Sequence, residues 1–159
     1  MRIVVMSDSH RLFGPLQKIV EAQPEADIFI HLGDSETGCS WLAEMYPDKK
    51  FYFIRGNCDF NSELPGFLVI PLENKHRIFA THGHKYGVNW TKTELIDAAI
   101  SNRCDIALYG HTHERCNSYE NGIHILNPGS CSCPRDGLAP SYAYIDVVGE
   151  GIFKSHISL

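Results

Sequence analysis

The chain has no C-x-x-C pair. Its six cysteines, Cys39, Cys58, Cys104, Cys116, Cys131 and Cys133, are spaced for neither a zinc half-site nor a disulfide framework. Reduced thiols in a cytosolic protein are the reading that follows. No apolar run approaches the length of a membrane span, so no membrane partner is expected. The N-terminus enters directly on the strand-like Ile3-Val4-Val5-Met6 without a signal-peptide pattern, and the expected compartment is the cytoplasm. Basic charge is not in excess. A formal net charge of −5 argues against non-specific nucleic-acid binding through a basic surface. Repeats, low-complexity tracts and linkers are also missing, and 159 residues suit one domain spanning 1–159.

What the chain does have is a series of short apolar segments. Strands are predicted at Ile3–Met6, Ile28–Leu32, Phe51–Ile54, Phe67–Ile70, Arg77–Thr81, Ile106–Tyr109, Ile123–Leu126, Tyr142–Val148 and Ile152–Ile157. The early ones are continuously apolar, as in strands covered on both faces, whereas the later ones alternate. Gly149-Glu150-Gly151 marks a hairpin between the last two. Helical periodicity falls between the early strands. Leu12, Leu16, Ile19 and Val20 share one face, with Pro15 in the first turn. Trp41, Leu42 and Met45 mark a second helix. Leu95, Ile96, Ala99 and Ile100 mark a third, with Thr91-x-x-Glu94 as its capping box. The order predicts an α/β chain, with parallel crossovers first, antiparallel strands later, and two packed sheets with helices outside.

Five polar clusters stand directly after such segments: Asp8-Ser9-His10, Gly33-Asp34, Gly56-Asn57-Cys58-Asp59, Thr81-His82-Gly83-His84 and Gly110-His111-Thr112-His113. Singly, each has a plain structural reading. Asp8-x-His10 is a surface turn, Asp34 a charge favoured at a helix N-terminus, Gly56-Asn57 a turn that tolerates positive φ, and His-x-His an exposed strand face. Together they leave that reading little room, because five of the nine histidines fall in three of these motifs. Neutral imidazole is the commonest metal ligand, and an Asn oxygen is a competent ligand for a hard ion. A carboxylate such as Asp34 can bridge two ions through its two oxygens. The pattern points to a metal-dependent hydrolase with two divalent ions at strand ends.

The ordered set D-x-H, G-D, G-N-x-D, G-H-x-H resembles the calcineurin-like metallophosphoesterases, and among them the small bacterial and archaeal phosphodiesterase branch. His31-Leu32-Gly33-Asp34, Arg55-Gly56-Asn57-Cys58-Asp59, Thr81-His82-Gly83-His84 and Asn127-Pro128-Gly129-Ser130 agree with it, so the motifs run from residue 8 to about residue 135. The resemblance implies a four-layer αββα sandwich, two mixed β-sheets flanked by helices. One ion would take Asp8, His10, Asp34 and His113, and the other Asp34, Asn57, His82 and His111, with Asp34 shared. Mixed nitrogen and oxygen ligands suit Mn²⁺, Zn²⁺, Fe, Ni²⁺ or Co²⁺, of which Mn²⁺ is the favoured activator. Two such ions, roughly 3.5–4 Å apart in sites of this kind, would hold a bridging hydroxide for in-line attack on phosphorus. Catalysis is then expected to rest on Asp34, Asn57, His82 and His111. Asn57, Arg55, His84 and Arg135 are expected to meet the phosphate. Two divalent ions would offset four of the five net negative charges, so a small phosphate-ester substrate would meet a locally positive site.

Cys58 departs from the wider superfamily, where a histidine often stands near the leaving group. A thiol is a poor substitute for a protonated imidazole as general acid. Its expected role is a small side chain filling space beside the site. His31, His76, His124 and His156 are assigned to core or surface packing. The leading function is phosphodiester hydrolysis. The alternatives are a phosphomonoesterase or nucleotidase on the same site, and a non-catalytic protein-binding scaffold of the same fold. Loss of ligands would favour the scaffold, yet all seven are present. The chain leaves little length for a substrate cap, so the site is expected to be open, with selectivity broad or completed by an oligomer. A homodimer is compatible with this.

Overall fold

Residues 3–6 and 28–31 are buried on both sides, and their alternation decides what each side meets. The computed structural model describes residues 1–36 and 38–159. β1 (Arg2–Met6), β2 (Ile28–His31) and β3 (Phe51–Phe53) pair in parallel. β9 (Ser141–Val148) runs antiparallel to β1, and β10 (Gly151–Ser158) follows it as a hairpin through Gly149-Glu150. The sheet order is β10-β9-β1-β2-β3. The second sheet holds β4 (Phe67–Pro71), β5 (Arg77–Thr81), β6 (Ile106–Leu108), β7 (Arg115–Glu120) and β8 (Ile123–Pro128), in the order β4-β5-β6-β8-β7. Both sheets are mixed.

The period of two splits each strand between two cores. Ile3, Val5, Ile28 and Ile30 meet Ile78, Ala80, Ile106 and Leu108 of the other sheet. Val4, Met6 and Phe29 instead meet Leu16, Ile19 and Val20 of α1 (Phe13–Ala22) and Leu42 of α2 (Gly38–Met45). On the far side Phe79, Ala107 and Ile125 meet Leu95, Ile96 and Ala99 of α3 (Thr93–Ser101). The layers are therefore α, β, β, α, as the sequence predicts. Among the described residues no helix is long and apolar enough to cross a membrane, and all six cysteines are free.

Four local expectations need correction. β7 is a strand that the apolar pattern does not mark. Its sequence is Arg-Cys-Asn-Ser-Tyr-Glu on the sheet edge, where among the described residues only β8 pairs with it. Trp41 and Met45 do not face the core; they are exposed, and Gly38, Cys39 and Leu42 are buried instead. The cause is close approach, since a Cβ on Gly38 would stand 2.8 Å from Leu16 Cδ1. Ile100 is also exposed, at the end of α3. The capping box does not form. Lys92 is the N-cap of α3, and Thr91 Oγ1 accepts the N–H of Thr93, the first residue of the helix, at 3.2 Å, not that of Glu94.

Candidate metal centre

The parallel register of β1 and β2 places Met6 beside His31, so the loops that follow emerge together. Asp8 N–H donates to Gly33 O at 3.1 Å and His10 N–H to Asp34 O at 3.0 Å. From the second sheet, Gly110 N–H donates to His82 O at 3.0 Å, joining the loops after β5 and β6. The chain must turn sharply at each strand end. Asp8, His10, Asp34, His111 and His113 all take left-handed φ, between 43° and 67°. Asp, Asn and His enter that region more readily than other side chains. Gly56 is required by contact: a Cβ there would lie 2.0 Å from Asp34 Oδ1.

Hydrogen bonds on the outer ring nitrogens fix how two imidazoles face inward. His82 Nδ1 lies 2.8 Å from Leu32 O, and His113 Nδ1 lies 2.7 Å from Cys133 O. A carbonyl only accepts, so in each neutral ring the proton sits on Nδ1 and Nε2 presents a lone pair. His82 Nε2 then faces Asn57 Oδ1 at 3.0 Å and Asp34 Oδ2 at 3.4 Å. His113 Nε2 faces His10 Nε2 at 3.2 Å and Asp8 Oδ1 at 3.3 Å. Acceptors converging on acceptors call for a cation between them. Asp8 is fully buried, and among the described residues its Oδ1 has no hydrogen-bond partner. Such an atom is costly unless a cation meets it. The donor set thus fits divalent ions. Asp8, His10 and His113 form one group of potential ligands, Asp8, Asp34 and His82 a second, and His10, Asp34 and Cys58 a third.

The electrostatics agree. Burial lowers the affinity of His82 for a proton, but Asp34 and Asp8 more than offset it and raise the pKa. His113 is likewise raised, by Asp8 against burial. Burial opposes ionisation of Asp34, yet His82 and the Cys58 N–H hold its carboxyl well below the usual carboxylate range. His111 and His84 are pushed down by burial and by His82.

The remaining expected residues are less uniformly gathered. His111 stacks edge-on to His82 with centroids 5.2 Å apart, while its Nε2 accepts from Asn89 Nδ2 at 3.0 Å. His84 lies 5.4 Å from His82 by ring centroid, its Nδ1 buried and without a hydrogen-bond partner among the described residues. Arg55 is half-buried, donates to Ser62 O, and borders a cavity with Asn57 and His84. Arg135 is exposed and borders a separate cavity with Asn89 and Thr112. Cys58 N–H donates to Asp34 Oδ1 at 2.8 Å, and its sulfur accepts from Asn57 Nδ2 at 3.2 Å. Burial and the nearby carboxylates push its thiol up to about 11, so it is not a ready thiolate.

Several residues that lie within the sequence motifs, without an assigned role there, position the site through backbone groups. Asp59 is buried, and its carboxylate accepts N–H groups from Asp34 (2.8 Å), Glu36 (2.5 Å) and Gly56 (2.7 Å). Asn127 Nδ2 holds Gly110 O at 2.9 Å, and Ser130 Oγ donates to Asp8 O at 2.8 Å. His31 is more than core filling. Gly33 N–H donates to its Nδ1 at 3.1 Å, so its Nε2 carries the proton toward Ser9 Oγ at 3.1 Å.

Burial pushes His31 down to about 4. The folded state keeps it neutral, whereas an unfolded histidine takes up a proton near pH 6.5. Its contribution is therefore intact above about pH 6.5 and is lost as pH falls toward 4, by about 3 kcal/mol in all. Unfolding free energies of wild type and His31→Gln across that window should show a flatter slope in the variant. Parallel slopes would assign the acid loss elsewhere.

The model of the calcineurin-like phosphoesterase superfamily domain matches residues 1–150, and the chain belongs to that superfamily. It is a hydrolase of phosphate esters whose family works with divalent metal ions. It is 33% identical over 147 residues to "Probable metallophosphoesterase YsnB" of Bacillus subtilis, covering 91% of this chain and 83% of that protein. It is 32% identical over 170 residues to Phosphodiesterase YfcE of Escherichia coli K12, covering 92% and 88%. A crystal structure of a "predicted phosphoesterase" from Streptococcus pneumoniae superimposes with TM-score 0.87 at 31% identity, covering 99% of this chain and 88% of that one.

Proposed function

We propose that this chain is a binuclear-metal phosphodiesterase of one domain, working in the cytoplasm on small phosphodiesters. The observation that carries it is the pair of inward lone pairs on His82 and His113, each aimed at carboxylate oxygens. One divalent ion would be held by Asp8, His10, Asp34 and His113, and the other by Asp34, Asn57, His82 and His111, with Mn²⁺ the favoured activator. Such ions supply an acidic water and positive charge for a phosphate. The protein supplies placement. Leu32 O and Cys133 O fix the two imidazoles, and Asp59 fixes the Asp34 and Gly56 loops. The phosphodiester preference is supported by the similarity to Phosphodiesterase YfcE, and the high thiol pKa of Cys58 bears on which leaving groups are cleaved, since the thiol is a poor general acid. Arg55, His84 and Arg135 border the cavities through which a phosphate would approach.

The test is a screen of phosphodiesters, phosphomonoesters and cyclic nucleotides on metal-stripped protein, with each divalent ion added back. Diester turnover restored by Mn²⁺ is expected. Monoester turnover alone would replace the reading by a phosphomonoesterase, and no turnover with any metal would favour a scaffold.

The thiol gives a further expected outcome. Cleavage should fall steeply as the leaving alcohol becomes less acidic. Cys58→Ala should keep most activity on an activated diester, and Cys58→His should gain on poorer leaving groups. The measurement is kcat/KM for the three proteins over leaving groups of graded acidity. Collapse of Cys58→Ala on the best leaving group, with metals bound, would give the thiol a catalytic task.

A further inference from the structure

Phe60 is a large apolar side chain that the site leaves in solvent. It is 83% exposed, and among the described residues no other ring packs on it. A lone exposed phenylalanine on a surface needs no explanation, but this one has a fixed base. Its N–H donates to Cys58 O at 3.0 Å, and the preceding residue, Asp59, is locked by three backbone N–H groups. The ring borders a cavity of about 280 Å³ with Arg11, Glu36 and Cys58, and another of about 320 Å³ with Arg55, Asn57 and His84. It therefore stands beside the carboxamide and the thiol that face the candidate metal centre. Arg11 is already paired with Glu36, so the smaller cavity offers an aromatic face while the cation in its lining is already partnered.

We propose that Phe60 is a specificity-determining residue whose ring is the platform for an uncharged aromatic arm, an aryl group or nucleobase, of the phosphodiester whose phosphate enters the centre. This rests on the phosphodiesterase reading above. Offset stacking on a fixed ring favours a planar π-face, and an aliphatic arm of equal size gains only apolar contact. The arm that leaves on the Cys58 side is the one the ring would hold. The preference is thus one of shape, separate from leaving-group acidity.

The experiment compares two diesters of matched leaving-group acidity, one aryl and one fluoroalkyl, with wild type, Phe60→Ala and Phe60→Tyr, in the Mn²⁺-loaded protein. Phe60→Ala is expected to lose about tenfold in kcat/KM on the aryl diester, mostly in KM, and to stay within about twofold on the fluoroalkyl one. Phe60→Tyr, which keeps the ring, should retain the aryl preference. Equal losses on both diesters, or no loss on either, would overturn the proposal. So would a change of sedimentation coefficient in Phe60→Ala with the aryl preference intact, since the ring would then be covering a second copy of the chain. A wild type that cleaves monoesters and no diester would overturn the phosphodiesterase reading and this proposal with it, and that result is visible before any variant is made.

Discussion

Asp34→Ala should bind neither ion and lose at least about three orders of magnitude in turnover, about 4 kcal/mol in the barrier. Asp34 shares a group of donor atoms with Asp8 and His82 and another with His10 and Cys58, so its removal opens both halves of the centre. The fold should survive, because the main-chain bonds from Asp34 N–H to Asp59 and from His10 N–H to Asp34 O do not need the side chain. The φ of 57° makes alanine itself strained at this position, by about 1–2 kcal/mol. Asp34→Asn, which tolerates that backbone, separates the two effects. Metal per chain by elemental analysis and the far-UV spectrum are the measurements. A variant that kept two ions or near-normal turnover would remove the bridging role.

Asp59→Ala is expected to cost about 3–5 kcal/mol of stability, enough to lower the melting temperature by about 10 °C. The carboxylate accepts N–H groups from three residues of two loops, and all three lose their partner at once. Asp59→Asn should recover part of the loss, since its carbonyl oxygen can take the place of Oδ2 and accept from Asp34 and Gly56, while its NH₂ would meet the Glu36 N–H. Metal affinity should fall as well, because the two loops that Asp59 ties carry the candidate ligands Asp34 and Asn57. Denaturant unfolding and metal titration test both. A wild-type melting temperature in Asp59→Ala would show that water or neighbouring groups satisfy the three N–H donors.

The two sheets and three helices were legible because strands buried on both sides, such as Ile3–Met6 and Ile28–Leu32, read as unbroken apolar runs. β7 was not, since an edge strand of Arg115–Glu120 needs little apolar surface and takes its shape from pairing with β8. The inner face of α2 was misread because hydrophobicity favours Trp41, whereas the helix packs through the small Gly38. Trp41 instead lies against Phe13 with centroids 5.6 Å apart. The candidate ligands were legible as clustered Asp, Asn and His after strands. Asp59 and His31 stand in the motifs, but their roles were not legible, because a side chain that holds backbone N–H groups can do so from many positions and its partners have no side-chain identity to read.

The left-handed backbone at five of the seven candidate ligands narrows the alphabet of the site twice. An ion selects for oxygen and nitrogen donors, a set that includes Glu and Gln. The turn then selects against their longer stems in favour of Asp, Asn and His. A same-charge exchange such as Asp8→Glu is therefore not conservative: it lengthens the reach and also asks a poorly suited residue to hold a φ of 56°. Redesign of metal preference at these five positions is expected to succeed by exchange among Asp, Asn and His, and to fail where Glu or Gln is introduced.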